Sequence, residues 1–344
     1  MSTWAVVLAG GIGSRFWPLS TPDRPKQMLP LVTGDPLLVD AVNRLGPIAA
    51  PSHVLILTNT GLRTGVSALL PTVPKENIIG EPKAGGTAAA LVWAAQEITR
   101  RDGPDAMMVS VHADWAVGDP NGFVETLSAA VRHAESLHSL VTVGIVPTRP
   151  DPGFGYIEPA DEVQPGARRV KRFVEKPDRE HAATLIKAGC LWNSGIFVWR
   201  VGDFLDDVRR LTPEVAPALH AHADDIHGFF RDVTPISVDV GVLERSNRVI
   251  VVPGDFQWDD VGTWGALQRI RGGDSAGNAM TGRAYAVASQ DNVVHSEGPT
   301  VVLYGVDDLV VVAKDGLVLV TTTDRSSDLK TLIEQLPAGV VRGS

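Results

Sequence analysis

The feature that most restricts the fold is an alternation of short apolar runs with longer amphipathic runs in the first half of the chain. Four runs predict buried strands, because they are rich in β-branched residues and bounded by polar or turn residues. These runs span residues 4–9, 54–57, 106–111 and 140–146. Two longer runs, 87–100 and 121–138, repeat apolar residues at helical spacing. The alternation predicts an α/β fold, with a mainly parallel sheet covered by helices on both faces.

The second half of the chain follows a different pattern. Residues 151–270 are less regular, with strands interrupted by loops, and a glycine-rich linker follows around 271–281. Short β runs come next, and their local pattern indicates hairpins. They span Val301–Tyr304, 309–313 and Leu317–Thr322. An amphipathic stretch at 329–336 predicts a closing helix. We therefore predict a large domain over 1–275 and a small all-β domain with a terminal helix over 276–344.

Composition narrows the class of protein. Apolar residues make up 44% of the 344 residues and charged residues 21%, the balance of an ordinary globular protein with a real core. The formal charge of −9 argues against a nucleic-acid partner, which normally demands a basic face. No apolar run is long enough to cross a bilayer, so we expect no membrane partner.

The N-terminus and the cysteine content bear on the cellular compartment. Residues 1–4 carry no basic region, and the apolar stretch behind them ends at Gly10, which disfavours a secretory signal. Cys190 is the only cysteine in the sequence, which excludes an internal disulfide framework and fits a reducing compartment. We therefore predict a cytoplasmic protein.

Glycines cluster directly after the first predicted strand, within residues 8–20. Gly10, Gly11 and Gly13 allow positive φ angles and bring main-chain N–H groups close to an anion. A dinucleotide-binding fingerprint would need a further glycine where Phe16 stands, which disfavours an NAD-dependent oxidoreductase. A P-loop would need a Gly-Lys pair, and the sequence contains none. On the glycines alone, a turn without a ligand remains an alternative.

Basic residues follow these glycines, although the whole chain is acidic. The first 34 residues contain one carboxylate, Asp23, and three cations: Arg15, Arg24 and Lys26. An arginine can bind phosphate oxygens in bidentate fashion, and a lysine adds a mobile point charge. Both suit a triphosphate on which negative charge builds at the α-phosphoryl oxygens. We therefore expect Arg15 and Lys26 to act on a nucleoside triphosphate.

The glycine segment and its continuation also carry a family resemblance. Segments 8–20 (LAGGIGSRFWPLS) and 25–31 (PKQMLPL) resemble the signature of nucleotidyltransferases that make NDP-sugars. The Phe-Trp-Pro-Leu-Ser version is similar to that of the mannose-1-phosphate guanylyltransferases. The resemblance implies a Rossmann-like (GT-A-like) nucleotidyltransferase domain with a mixed, mainly parallel sheet. It also implies a C-terminal left-handed β-helix-like domain that makes oligomer contacts, with a homodimer as the expected assembly.

The same resemblance implies a reaction. A phosphate oxygen of α-D-mannose 1-phosphate would attack the α-phosphorus of GTP, giving GDP-mannose and pyrophosphate. Arg15 and Lys26 would stabilise the developing charge. The nucleotide would lie against residues at and after the first strand: Leu8, Ala9, Gly10, Gly11, Gly13 and Ser14.

Two aspartates are candidates for binding Mg²⁺, which phosphoryl and nucleotidyl transfers usually need. Asp114 follows a predicted strand in the motif Val-His-Ala-Asp, and Asp260 lies in Trp-Asp-Asp-Val-Gly-Thr-Trp. Both match metal-binding positions of the family. Trp115 departs from it, because the family more often has histidine there. The alternatives are a capping role for Asp114 and a solvated turn for the acidic pair, and we expect the solvated turn for Asp259.

Further motifs match the family's sugar-phosphate side. The segment 173–177 (Phe-Val-Glu-Lys-Pro) matches letter for letter, which implies that Glu175 accepts hydrogen bonds from sugar hydroxyls and that Lys176 neutralises the phosphate. Gly155 lies in a glycine-aromatic loop that the family closes on the sugar. Asn193 matches an asparagine that contacts sugar hydroxyls, although it could equally be a turn residue. Asp239 matches the family's Ser-Ile-Asp segment, which makes it a further candidate for contact with the sugar.

The segment 81–90 departs from the guanylyltransferase pattern and leaves the nucleobase open. By resemblance its Gly86 and Thr87 contact the nucleotide. Gly85, Gly86 and Ala89 stand where the family has arginine, asparagine and proline, and the Gly-Gly-Thr-Ala form is similar to thymidylyl- and uridylyltransferases. A thymidylyl- or uridylyltransferase acting on glucose 1-phosphate is therefore an alternative. A non-catalytic regulatory homologue that binds a sugar nucleotide is another, although it would not need the two metal-binding aspartates.

Overall fold

The computed structural model describes residues 2–11 and 13–341. Met1, Ile12 and residues 342–344 lie outside the described residues, as do the side chains of Ser14 and Ala338. The strands are β1 (Thr3–Leu8), β2 (Val54–Asn59), β3 (Ile78–Glu81), β4 (Met107–His112), β5 (Ala116–Val117), β6 (Leu140–Ile145), β7 (Tyr156–Gln164), β8 (Ala167–Val174), β9 (Leu191–Arg200), β10 (Val249–Gly254), β11 (Trp258–Asp259), β12 (Ala279–Thr281), β13 (Ala284–Val287), β14 (Val293–Glu297), β15 (Val301–Tyr304), β16 (Leu309–Lys314) and β17 (Leu317–Thr322).

The α-helices are α1 (Leu37–Arg44), α2 (Arg63–Leu69), α3 (Gly86–Asp102), α4 (Pro120–Leu137), α5 (Arg179–Lys187), α6 (Val201–Leu211), α7 (Ala216–Ala221), α8 (Ile226–Asp232), α9 (Trp264–Arg271), α10 (Leu329–Gln335) and α11 (Ala338–Val341). Short 3₁₀ turns include Ser14–Phe16 and Lys26–Met28, and Asp239–Leu243 forms a π-helical turn. Among residues 2–11 and 13–341, no helix combines the length and the apolar character that a bilayer crossing needs.

The chain divides into two compact units that interleave in sequence. The first comprises 1–10, 42–113 and 119–256, and the second comprises 11–41, 114–118 and 257–344. The predicted boundary after residue 275 is not one of these divisions, because segments from both sides of it share a core in the second unit, as described below.

The first unit is built on a nine-stranded sheet in the order β3-β2-β1-β4-β9-β6-β10-β8-β7. Strands β1 to β4 pair in parallel, as do β6 and β10, whereas β8 and β9 run antiparallel to their neighbours. Apolar residues fill β1, β2 and β4, which are buried almost throughout, as expected for strands covered on both faces. The predicted mixed, mainly parallel sheet is thus confirmed.

Helices α3 and α4 confirm the two predicted helical runs. Helix α3 is buried along a stripe of alanines and larger apolar residues and ends at Gly103, whose φ is 84°. Helix α4 begins at Pro120, and the side chain of Asp119 caps it by accepting hydrogen bonds from the first N–H groups of the helix. Both helices stabilise the sheet, because their apolar faces cover strands whose side chains would otherwise be exposed to solvent.

The strands of the second unit pair mostly in parallel. Strands β12, β14 and β16 form parallel neighbours, with Ala279, Val293 and Val310 in register, and β13 pairs in parallel with β15. The predicted hairpin pattern is confirmed only for β16 and β17, which are antiparallel. It is wrong for β15, which pairs in parallel with β13 instead of forming a hairpin with a neighbouring strand. Parallel partners need a longer connection than a tight loop, and here β14 lies between them in the sequence.

One apolar core connects early and late segments of the second unit. Phe16 and Trp17 from the glycine-rich segment are buried in it together with Trp264 of α9 and Val310 of β16. The rings of Phe16 and Trp264 lie 5.2 Å apart. This shared core is the reason why residues 11–41 group with the C-terminal strands.

Candidate active site

Residues Leu8, Ala9 and Gly10 lie at the carboxyl end of β1, where a parallel sheet normally binds its ligand. The N–H of Ala9 donates to the Leu57 carbonyl at 2.7 Å, and the Thr58 hydroxyl donates to the Ala9 carbonyl at 3.1 Å. Hydrogen bonding to β2 therefore continues one residue beyond the end of β1 and holds Ala9 in place at the start of the glycine-rich segment.

Lys26 is the centre of a cluster in the second unit, which we call the triphosphate cluster (Lys26, Asp114 and Asp260). Its Nζ lies 3.0 Å from Asp114 Oδ2 and donates to the Asp260 main-chain carbonyl at 2.8 Å. Lys26 is only 7% exposed. The approach requires Gly13, whose φ is 65° and where a Cβ would lie 2.3 Å from the Cβ of Lys26.

The carboxyl group of Asp260 has a raised pKa. Burial raises its pKa to about 6, and the nearby Asp259 and Asp114 carboxylates act in the same direction, whereas Lys26 opposes them. The next residue, Val261, has a φ of 48°, which is strained for a β-branched side chain. Such strain is found where the surrounding structure determines a turn, and here the turn carries Asp260.

Asp259 does not lie in a solvated turn, so that expectation is wrong. The residue is 7% exposed, its Oδ1 accepts from the Val261 N–H at 3.1 Å, and its Oδ2 lies 3.0 Å from Arg269 Nη2. Asp259 is buried together with Trp258 in β11, and Arg269 of α9 compensates its charge. Asp259 therefore stabilises the turn that presents Asp260.

Arg15 lies in the 3₁₀ turn Ser14–Phe16 and is exposed. Its neighbour Phe16 is fully buried, and Lys26 Nζ lies 5.9 Å from the centre of that ring. Gly11 contacts the residue next to Lys26, because its carbonyl accepts a hydrogen bond from the Gln27 side chain at 3.0 Å. The predicted contribution of the Ser14 side chain lies outside the described residues.

A second group of candidates meets in the first unit, and we call it the sugar cluster (Gly155, Glu175, Asn193 and Asp239). Asn193 Nδ2 donates to Asp239 Oδ1 at 2.7 Å, and the Asn193 N–H donates to the Gly155 carbonyl at 2.8 Å. A Cβ on Gly155 would lie 3.2 Å from Glu175 Oε2. Asn193 therefore contacts two other predicted residues, and it lies in strand β9 rather than in a turn.

Lys176 stands next to the sugar cluster. It is exposed, has a φ of 38°, and its Nζ lies 2.9 Å from Glu175 Oε1. Asp239 is more enclosed, and burial raises the pKa of its carboxyl group while the Asn193 hydrogen bond lowers it. The arrangement offers both a carboxylate acceptor for hydroxyl groups and a mobile cation for a phosphate.

Gly86 and Thr87 connect the start of α3 with the segment before Asp239. The Thr87 hydroxyl accepts from the Val238 N–H at 2.9 Å. Gly86 has a φ of 79°, and a Cβ there would lie 2.3 Å from the Ile236 carbonyl oxygen. A Cβ on Gly85 would lie 2.8 Å from that of Ala89. Packing thus accounts for both glycines at the point where the sequence departs from the guanylyltransferase pattern.

Sequence reasoning did not single out Glu81, which the structure places among the candidate residues. Glu81 ends β3, and a Cβ on Gly10 would lie 3.7 Å from its Oε1, so its carboxyl group lies beside the carboxyl end of β1. Burial raises its pKa to about 7. The available signal was a carboxylate at the end of a parallel strand, the same signal that singled out Asp114.

In the described part of the chain, no group of three or more His, Cys, Asp or Glu side chains is arranged to hold a metal ion. The two carboxylates of the triphosphate cluster are a smaller set, of the size that Mg²⁺ uses when substrate phosphates supply the other oxygens.

The fold and these two clusters define a nucleotidyltransferase, and comparison with known proteins agrees. The family model for nucleotidyl transferases matches residues 4–275. The chain therefore belongs to the nucleotidyl transferase family.

Comparison with individual proteins shows which nucleotidyltransferases the chain resembles. The chain is 35% identical over 347 residues to a mannose-1-phosphate guanylyltransferase of Escherichia coli, an alignment that covers 96% of this chain and 73% of the relative. It is 34% identical to the protein of the same name from Klebsiella pneumoniae, with the same coverage. A crystal structure from Thermus thermophilus, described as a mannose-1-phosphate geranyltransferase, superimposes with a TM-score of 0.90 at 32% identity and covers 97% of this chain and 99% of the other.

Proposed function

We propose that the protein transfers a guanylyl group from GTP to α-D-mannose 1-phosphate, forming GDP-mannose and releasing pyrophosphate. The observation that carries the proposal is the triphosphate cluster, in which a buried lysine contacts two separate acidic segments. The names of the similar proteins supply the substrates. A pure binding protein would not need this combination of lysine and carboxylates, which is suited to stabilising charge during a transfer.

In this proposal the nucleophile needs no activation by a general base, because the sugar phosphate is already anionic. Main-chain N–H groups of Gly10, Gly11 and Gly13 hold the triphosphate. Arg15 and Lys26 neutralise the charge that builds on the α-phosphoryl oxygens. Glu175, Asn193 and Asp239 orient the sugar, and Lys176 binds its phosphate. Catalysis then consists of positioning and charge neutralisation, without a covalent intermediate.

We propose Asp114 and Asp260 as the ligands of Mg²⁺. The residues fit such an ion, because burial first and then the neighbouring carboxylates raise the pKa of Asp260, and a divalent cation would offset both effects. When bound, Mg²⁺ would supply Lewis-acid stabilisation of phosphate oxygens. Asp260 has to be ionised to serve as a ligand, and Lys26 favours the ionised form.

Glu81 supports guanine as the base. With a pKa of about 7, Glu81 would bind guanine in its ionised form, which is an acceptor only. Guanine presents two adjacent N–H donors on its pairing edge, which would favour that form, whereas thymine and uracil present one donor between carbonyls. A polar site built for one edge discriminates strongly against another. With Gly85 and Gly86 explained by packing, their presence no longer favours a thymidylyl- or uridylyltransferase.

For the C-terminal strands we propose a short left-handed β-helix and, through it, a homodimer. The parallel stacking of β12, β14 and β16 supports a helical course of the chain. The sheet of β13 and β15 exposes four large apolar side chains at 55% to 78%, which is unusual for a surface in contact only with water. They are Tyr285, Val287, Val302 and Tyr304.

We also propose a cytoplasmic location. Its support is the reducing environment that the lone thiol of Cys190 fits, together with the supply of nucleoside triphosphates that the proposed reaction requires.

The experiment that tests the proposal measures pyrophosphate release for GTP, dTTP, UTP and ATP, each paired with mannose 1-phosphate or glucose 1-phosphate, in the presence of Mg²⁺. The expected result is the highest kcat/KM for GTP with mannose 1-phosphate. A preference for dTTP or UTP with glucose 1-phosphate would replace the proposed reaction by the alternative one. Binding of GDP-mannose without turnover of any pair would identify a regulatory homologue instead.

A further inference from the structure

The loop between β6 and β7 carries Gly155 of the sugar cluster. Its contacts with β9 include the hydrogen bond from the Asn193 N–H to the Gly155 carbonyl. Because Gly155 also lies close to Glu175, a displacement of this loop would alter the distances among three members of the sugar cluster.

Asp151 organises the turn that precedes Gly155. Its Oδ1 accepts from the Gly153 N–H at 2.9 Å, which fixes the turn locally. The Tyr156 hydroxyl donates to the Asp151 carbonyl and accepts from the Asp151 N–H, both at 3.1 Å. Arg149 then engages the remaining carboxylate oxygen, with Nε and Nη2 at 3.0 and 2.9 Å from Oδ2.

Arg149 also connects this turn to β9 through aromatic rings. Its guanidinium carbon lies 5.0 Å from the centre of the Trp192 ring and 5.7 Å from that of Phe154. The two rings are buried and pack edge to face, with their centres 4.8 Å apart. A planar guanidinium can pair with a carboxylate and cover an aromatic face at the same time, which a lysine cannot do equally well.

We propose that Arg149 is a positioning residue for the hexose 1-phosphate. It braces the turn at Asp151 and Gly153 against Trp192, the residue directly before Asn193, and thereby sets the distance between Gly155 and Asn193. The inference rests on the proposed function for the identity of the substrate. Arg149 does not act on the reacting atoms; it acts through Asp151 and Trp192.

The proposal predicts that the effect of Arg149 falls on one substrate. Arg149→Met is expected to raise KM for mannose 1-phosphate about tenfold, which corresponds to ~1.4 kcal/mol, while KM for GTP stays within about twofold, a change of ~0.4 kcal/mol. Arg149→Lys is expected to recover part of this loss, because it keeps the charge opposite Asp151 and loses the planar contact with Trp192. Asp151→Asn, which keeps the acceptor for Gly153, is expected to resemble Arg149→Met.

The matched control is Arg168→Met. Arg168 is exposed and donates to the Ala160 carbonyl in the β7–β8 hairpin, so its replacement is expected to leave both KM values unchanged. Thermal unfolding of each variant reports whether the loop merely stabilises the fold. A uniform change of both KM values, or a lowered Tm with unchanged KM values, would overturn the proposal.

The experiment distinguishes failure of the proposed function from failure of the positioning role of Arg149. If the wild-type protein prefers another sugar 1-phosphate, the proposed function is wrong, and the same KM comparison with that sugar still decides the role of Arg149. If the wild type uses mannose 1-phosphate and Arg149→Met does not change its KM, the positioning role alone is wrong.

Discussion

Lys26 donates a hydrogen bond from its buried ammonium group to the main-chain carbonyl of Asp260, 2.8 Å away and 234 residues later in the sequence. The bond holds the turn of Asp260 by its backbone and leaves the carboxylate able to act as a ligand in the proposed mechanism. The same ammonium group contacts the Asp114 carboxylate. One side chain thus fixes both aspartates and supplies positive charge beside them.

Lys26→Met is expected to lower kcat/KM for the forward reaction by about 10²- to 10³-fold, a loss typical of removing one preorganised charge-stabilising group. The change also removes this cation from beside the Asp114 carboxylate. Steady-state pyrophosphate release measures the effect. Arg24→Met is the control, because Arg24 is exposed two residues away. Wild-type kinetics in Lys26→Met would remove Lys26 from the mechanism.

Asp260→Asn is expected to abolish turnover and to leave the fold intact, because an amide can still accept the hydrogen bond from the Gly262 N–H at 3.1 Å. Asp259→Asn is the matched variant. It removes the charge that faces Arg269, so it is expected to lower Tm more than it lowers kcat. Thermal unfolding and kcat, measured on both variants, separate the two roles. Near-normal activity of Asp260→Asn at saturating Mg²⁺ would contradict the assignment.

The raised pKa of Asp260 predicts a pH-dependent requirement for Mg²⁺. Below a pKa of about 6 the carboxyl group is protonated and cannot bind a cation, so affinity for the ion is expected to rise with pH through that value. From pH 5.5 to 7.5 the ionised fraction of such a group rises about fourfold, and the Mg²⁺ concentration for half-maximal activity is expected to fall by the same factor. Glu81→Gln removes the other carboxyl group whose pKa is raised into this range, and it is assayed at GTP concentrations above its raised KM, so that any pH dependence of the Mg²⁺ requirement that remains belongs to Asp260. A requirement independent of pH would show that Asp260 is not the ligand that titrates.

Glu81→Gln is expected to raise KM for GTP about 10- to 100-fold, the range for a hydrogen bond to a charged group, and to leave KM for mannose 1-phosphate unchanged. The reason is that an amide keeps one acceptor and replaces the other with a donor, which faces a donor on guanine. Kinetics with each substrate varied in turn measure the change. Glu76→Gln, at an exposed position just before β3, is the control. If GTP still binds normally to Glu81→Gln, the base is read elsewhere.

Local sequence patterns were sufficient for the parts of the fold that depend on local burial. The strands around Val6, Ile56 and Val109 and the helices α3 and α4 follow from apolar periodicity, because both faces of these strands and one face of each helix enter the core. The same rule placed Asp114 at the end of a strand. It did not single out Glu81, because β3 has only four residues and only the first is fully buried.

The features that sequence reasoning missed depend on contacts between distant segments. The inward orientation of Asp259 follows from its pairing with Arg269 and from β11 pairing with β5, neither of which leaves a periodic signal. The partner of β15 is β13 rather than the next strand. Sequence reasoning missed this pairing because the same short β runs are compatible with a hairpin and with parallel strands one turn apart. The role of Arg149 likewise requires the three-dimensional position of Trp192.

The core that contains Phe16, Trp264 and Val310 has a consequence for protein engineering. The glycine-rich segment and the C-terminal strands lie far apart in the sequence, yet they share one core in the second unit. A chimera that took its N-terminal segment from one relative and its C-terminal strands from another would therefore combine two halves of a single packed core. A chimera that keeps this interior well packed therefore requires that both segments come from the same relative.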